Sequence, residues 1–503
     1  MKENQGVRKA PETFLGIIKE LGPGLIVAGS IVGSGELIAT TLTGAEAGFW
    51  LMWLIMIGCV IKVFAQLEIG RYTITTGKTA LEGLSRLPGI RPKGVHWAVW
   101  IWLIMFIASV GQYGGIVGSI GQSVGIAVPL TQEGRAFNEA ADVKVKAQIA
   151  AVIGEAANES VVVQEENDAE SVGTDAAVLS AGKDAYYWAF VLTLFTSAIL
   201  FWGRYGMIEK TVMVMVGGFT LLSIGNLYLL QQNATWAVSS TDILNGLRFQ
   251  LPPAREGLQP IATALATFGI IGMAAGELIY YPYWCLEKGY ARFIGTPEDT
   301  SAWRERAKGW NRVMRWDAWL SMVVYTFSTL VFYLMGAAVL GRADLRPEGL
   351  DLIRTLAAMY EPAFSEWGVA LFLFGSIAVL FSTFFVGTAS LVLVFSDALA
   401  IFTKGQKKAI DRERVRPWLS LGLPIVAFVM FVFFPKPKFL ILLAGMMNTF
   451  MLPILGFAAL YYRYRFTSEE FRPKPIWDVF LWLSSFALLV VGVWLAAKLL
   501  GVV

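Results

Sequence analysis

The chain has 503 residues, 56% of them hydrophobic, and its 41 Lys and Arg against 38 Asp and Glu leave a net charge of +3. Charged residues make up 16%, where soluble chains carry about 25%, which argues against a water-soluble fold. So small a net charge gives no sign of a nucleic-acid partner, and the lipid bilayer is the expected partner.

Residues 1–19 are polar and charged and lack the apolar core of a cleavable signal. They are expected to form a cytoplasmic N-terminal segment ahead of a first span that inserts permanently. Apolar runs long enough to cross a bilayer as helices follow at 20–45, 49–76, 96–123, 184–203, 207–231, 258–287, 316–341, 366–402, 417–435, 439–463 and 476–501. The expected fold class is therefore an all-α integral membrane protein with about 11 spans. An odd number puts the termini on opposite sides. With the N-terminus in the cytoplasm, the inside connections hold 27 Lys and Arg and the outside ones 11, which favours that orientation, with an extracytoplasmic C-terminus.

The first span contains Val32-Gly33-Ser34-Gly35-Glu36-Leu37-Ile38. The second carries Cys59, Lys62, Gln66 and Glu68. A lysine at this depth needs a partner, and two readings stand: Lys62 faces Glu36 or a second intramembrane Glu as a counter-charge, or it pairs with Glu68 or Gln66 outside the site. Cys59 and Cys285 lie in apolar runs with no CxxC spacing, and His96 is the single histidine. Neither a disulfide framework nor a histidine metal site is expected. The third span has no carboxylate.

Residues 124–183 form the one long insertion, with ten acidic residues between Glu133 and Asp175. A short amphipathic helix within an acidic extracytoplasmic lobe is expected there, and Asn158-Glu159-Ser160 matches a glycosylation sequon.

The sixth span contains Met273-Ala274-Ala275-Gly276-Glu277-Leu278-Ile279, so Gly-Glu-Leu-Ile occurs in both the first and sixth spans. Each copy opens a block of five spans, giving a first repeat at 20–231, a second at 258–463 and an added helix at 476–501. Because five is odd, the second block enters from the opposite side, the inverted-repeat layout in which paired broken helices build a midplane site. A carboxylate at bilayer depth costs about 2.5–3.5 kcal/mol, so two in matching places point to a functional pair, Glu36 and Glu277. The adjacent glycines are expected to let both helices unwind and expose carbonyls to a cation. The competing reading is close helix packing with private hydrogen bonds.

Leu21-Gly22-Pro23-Gly24-Leu25-Ile26-Val27-Ala28, the stretch from Gln66 to Gly77, and Arg204-Tyr205 with Ile208-Glu209-Lys210 resemble segments of the NRAMP (natural resistance-associated macrophage protein) transporters. The resemblance implies the LeuT-type fold, alternating access, a divalent metal as cargo, no enzymatic activity, no cofactor, and an expected place in a bacterial inner membrane. The family's metal site uses Asp-Pro-Gly-Asn on the first helix and Met-Pro-His-Asn on the sixth. In register these become Gly33-Ser34-Gly35-Glu36 and Ala274-Ala275-Gly276-Glu277: Asp, Met and His are gone, and both Asn positions are Glu. The expected metal ligands are then Glu36 and Glu277, with oxygens around Gly33, Ser34, Gly35, Ala274 and Gly276 and from Asn448 on the tenth span. Oxygen-only sites suit Mg²⁺ or Mn²⁺ before softer ions. Lys62 and Glu68 are candidates for coupling or counter-charge. The alternative is an H⁺- or Na⁺-coupled symporter of a small organic solute, with Tyr280-Tyr281-Pro282-Tyr283-Trp284 capping the ligand and Ser382-Thr383 offering oxygens to Na⁺. Asp317 and Asp397 are read as residues of the membrane interface. Oligomeric state is not readable.

Overall fold

A chain this apolar satisfies its backbone within each segment by forming helices. The computed structural model describes residues 6–153, 183–202, 205–253, 258–364, 366–404 and 410–502. Among the described residues no strand occurs. A short helix α1 (Phe14–Glu20) precedes α2 (Pro23–Ala47), α3 (Met52–Thr76), α4 (Trp97–Ala127) and α5 (Gln132–Ile153). Then come α6 (Lys183–Trp202), α7 (Tyr205–Leu230), and the two halves of the sixth span, α8 (Pro260–Ile270) and α9 (Ala275–Lys288). The remaining long helices are α10 (Ser301–Met335, prolonged by a π-turn at Gly336–Leu340), α11 (Glu366–Phe402), α12 (Arg412–Phe433), α13 (Pro437–Arg465) and α14 (Pro475–Leu499).

Ten segments are long and apolar enough to cross a membrane among the described residues. The fifth of the 11 expected spans coincides with α7, whose described apolar stretch is Val216–Leu230.

The two motif-bearing spans form the centre. In both Pro23–Ala47 and Pro260–Lys288, 94% of the apolar window is buried by protein, against 28% in α12 and 33% in α6. The outer helices leave most of their surface uncovered by protein, while the inner two are almost wholly enclosed by it, which makes the centre the place where polar groups can be held. Close backbone approach is what small residues allow here. A Cβ on Gly269 of α8 would stand 2.0 Å from the Gly445 carbonyl oxygen of α13. Gly269→Ala is therefore expected to push these helices apart and cost about 2–3 kcal/mol, read as a lowered Tm of the detergent-solubilised protein.

Three expectations change in detail. The helix that carries the seventh span starts at Ser301, ahead of the apolar run expected from 316, because about four polar turns capped by Thr300 precede that run. The amphipathic helix of the insertion, α5, has 22 residues and is not short; it docks through buried Val145 and Ile149 and accepts a bond from Arg354 Nε to Asp142 Oδ1 at 2.9 Å. The sequon at Asn158 and the acidic residues after Ile153 lie outside the described residues, as does Arg204. The third concerns the first span, which does not unwind.

Candidate functional site

Within α2, residues Val32–Thr40 form a π-helix instead of a break. A π-segment widens the helix and frees backbone groups for lateral bonds, and such segments gather at functional sites. Here the Gly33 amide donates to Thr383 Oγ1 at 3.0 Å, and Thr40 Oγ1 donates to the Gly35 carbonyl at 2.8 Å. The chain keeps its helical path, and the expected unwinding of the first helix is replaced by this wider turn. The sixth span does break. Residues 271–274 separate α8 from α9, and Gly272 has φ +54°, a value that glycine adopts without strain. Gly35 is needed where the two motifs meet, since a Cβ there would lie 2.7 Å from the Ile270 carbonyl oxygen.

Glu36 is fully buried. Its Oε1 accepts a bond from Thr329 Oγ1 of α10 at 2.9 Å, and among the described residues its Oε2 has no hydrogen-bond partner. A buried carboxylate oxygen without a partner is costly unless something positive binds it. Glu277 sits in the first turn of α9 and is 7% exposed, at a helix N-terminus that favours negative charge. The two carboxylates lie within electrostatic reach of each other.

Lys62 is fully buried too, and among the described residues it makes no ion pair with Glu36, Glu277 or Glu68. Its Nζ donates to the carbonyls of Phe268 and, at 2.8 Å, Ile271, and lies 4.6 Å from the Phe268 ring centroid. The ammonium thus caps the C-terminal end of α8, where unsatisfied carbonyls carry the negative end of the helix dipole. It feels the charge of both Glu36 and Glu277 without a direct ion pair to either among the described residues. Glu68 is engaged elsewhere, with Arg71 at 2.5 Å and Trp477 Nε1 at 2.6 Å.

The other expected residues take structural bonds. Asn448 accepts from the Gly276 amide at 2.9 Å and so caps α9. Ser34 accepts from Gln112 Nε2 at 3.0 Å. Ser382 and Thr383 both donate to the Gly29 carbonyl, at 3.1 and 3.3 Å. Ala274 and Met273 lie buried in the break itself. The aromatic run is tied outward: Tyr281 donates to Asp317 at 3.0 Å, Tyr283 to Asp397 at 2.6 Å and Trp284 to Ser390 at 2.9 Å. Asp317 and Asp397 are therefore anchors that the protein buries near their span ends. Asp317 also accepts from the Gly22 and Gly24 amides at 3.0 and 2.7 Å, capping α2 from another helix. His96 caps α4 through the Ala98 amide at 3.3 Å, and both cysteines are buried and free.

Thr329 and Gln112, both next to the motifs, were not singled out by the sequence. Among the described residues no group of three or more His, Cys, Asp or Glu is placed to hold a metal. A cation at the break would rest on two carboxylates, completed by carbonyl, hydroxyl or amide oxygens and water.

No curated protein sequence matches the chain. Among solved structures, the manganese transporter of Eremococcus coleocola in complex with an aromatic bis-isothiourea compound is similar, with TM-score 0.62 and 14% identity over 98% of this chain and 89% of that one. A single-site mutant of the same transporter matches with TM-score 0.62 and 14% identity, over 99% and 92%. At that identity the likeness shows a shared fold. The profile of the family described as natural resistance-associated macrophage protein-like matches residues 166–498. The chain is an integral membrane protein and belongs to the Nramp family of transporters.

Proposed function

We propose that this chain carries a hard divalent cation, Mg²⁺ or Mn²⁺, by alternating access of the repeat at 20–231 against the inverted repeat at 258–463, with 476–501 as an added helix. Nramp members are membrane transporters, not enzymes, and need no cofactor. The metal reading draws support from the similar structures, which are of a manganese transporter. The observation that carries it is the buried Oε2 of Glu36, without a hydrogen-bond partner among the described residues, on a carboxylate that meets the Gly272 amide in the sixth-span break that Glu277 also borders.

Glu36 and Glu277 act as direct ligands, with oxygens around Gly33, Ser34, Gly35, Ala274 and Gly276 completing the shell. Asn448 orients the first turn of α9 through the Gly276 amide. All these donors are oxygens, which suits Mg²⁺ or Mn²⁺ over softer ions. Lys62 holds the break together and sets the background charge of the site. The 27 to 11 split of basic residues supports a cytoplasmic N-terminus. The organic-solute alternative is not favoured, because Tyr281, Tyr283 and Trp284 are already committed to Asp317, Asp397 and Ser390.

Calorimetric titration tests the site. Mg²⁺ and Mn²⁺ are expected to give saturable heat with the detergent-purified chain and to bind at least about tenfold more weakly to Glu36→Gln. Unchanged heat in the variant would remove Glu36 from the site.

A further inference from the structure

A second polar feature lies apart from the carboxylate pair. A cavity of about 490 Å³ opens where the N-terminal segment, the end of α3, the start of α10 and the loop after α13 meet. Seven basic and three acidic residues line it. Two of the acids are already engaged: Glu305 pairs with Lys9 at 3.1 Å, and Glu470 with Arg304 at 3.3 Å.

Three guanidinium groups converge on the cavity. Arg71 is buried and spends one nitrogen on Glu68. Arg312 gives Nη2 to the Pro11 carbonyl at 3.2 Å, while its Nε is buried without a partner among the described residues. Arg315 has no carboxylate partner among the described residues and lies within electrostatic reach of both other arginines. Like charges gathered this way repel unless an anion sits among them, and the planar fork of arginine matches the oxygens of a phosphate group.

An apolar surface adjoins the cluster. On α10, Trp316 and Leu320 are 46% and 40% exposed immediately after Arg315. On α1, Ile17 is buried while Phe14 and Leu15 are 58% and 72% exposed, and the Phe14 ring meets Trp316 edge-on at 5.5 Å. Aromatic residues and a short helix with an outward apolar side belong at the headgroup level of a bilayer. Basic pockets between transmembrane helices at that level suit anionic headgroups.

We propose that this cavity binds a phosphate-bearing anion through Arg71, Arg312 and Arg315, and that the anion is an anionic phospholipid whose acyl chains lie along Trp316, Leu320 and Phe14. The positive-inside count puts the site at the cytoplasmic leaflet. It does not depend on which ion the protein carries.

The test uses the full chain in nanodiscs made from equal parts phosphatidylglycerol and phosphatidylcholine, with retained lipid read by native mass spectrometry. The wild type is expected to keep phosphatidylglycerol preferentially, and Arg312→Gln/Arg315→Gln to lower that preference at least tenfold. Equal retention of both lipids by wild type, or a preference that survives the double substitution, overturns the site. A parallel arm measures Tm with inorganic phosphate: stabilisation equal to that given by phosphatidylglycerol overturns the lipid source. Should the double variant fail to fold, Arg315→Gln alone, at an exposed position, carries the same test with the same two outcomes.

Discussion

Replacing both Glu36 and Glu277 by Gln is expected to lower saturable Mn²⁺ uptake by at least about 100-fold while the protein still folds. Gln keeps the size of each side chain and can still accept the Thr329 hydroxyl bond, so packing around Glu36 is preserved. The charge is what disappears. A divalent ion at the break would have only these two carboxylates, because among the described residues no group of three or more His, Cys, Asp or Glu is placed to hold a metal. Even about 1.4 kcal/mol lost per carboxylate is tenfold each, and charge–charge attraction in a site shielded from water exceeds that. Either single variant should fall between wild type and double. A double variant that takes up Mn²⁺ at the wild-type rate would show that the pair is structural.

The second large effect belongs to Lys62. Lys62→Met retains most of the side-chain length and removes the charge, and it is expected to do two separable things. Divalent binding should tighten at least about tenfold, because the net charge of the two glutamates and the lysine falls by one. The Tm in the absence of divalent ion should also drop, since the buried Phe268 and Ile271 carbonyls lose their donor, at about 1–3 kcal/mol for each group left unsatisfied. Divalent ion should restore part of that loss by linkage. Calorimetry and thermal unfolding read the two effects on one sample. Tighter binding without a loss of Tm would mean that the carbonyl contacts are dispensable. A loss of Tm without tighter binding would place Lys62 outside the field of the site.

The architecture was legible because lipid imposes a coarse rule: apolar runs become helices, and ten of the expected spans reappear as membrane-length helices among the described residues. The Gly-Glu-Leu-Ile repeat was legible for a similar reason, since charge at bilayer depth is rare enough for two copies to stand out. The state of the first span was not legible. Glycines near a carboxylate are compatible with an unwound loop or a π-helix, and the choice here goes with bonds from Gly33 to Thr383, 350 residues away. The partner of Lys62 was hidden for a deeper reason. Its acceptors are main-chain carbonyls of α8, which every residue carries and no side chain advertises. The distance of Asp317 to the end of the apolar run places it near the interface, but its burial was not legible. Its acceptance of two amides from α2 depends on helix packing that the local pattern does not encode.

Uptake by the purified chain in proteoliposomes carrying a divalent-sensitive dye tests the central claim most directly. The account predicts saturable flux of Mn²⁺ or Mg²⁺ by wild type that falls to the level of empty liposomes in Glu36→Gln/Glu277→Gln. Folded wild-type protein that moves no divalent ion would contradict it.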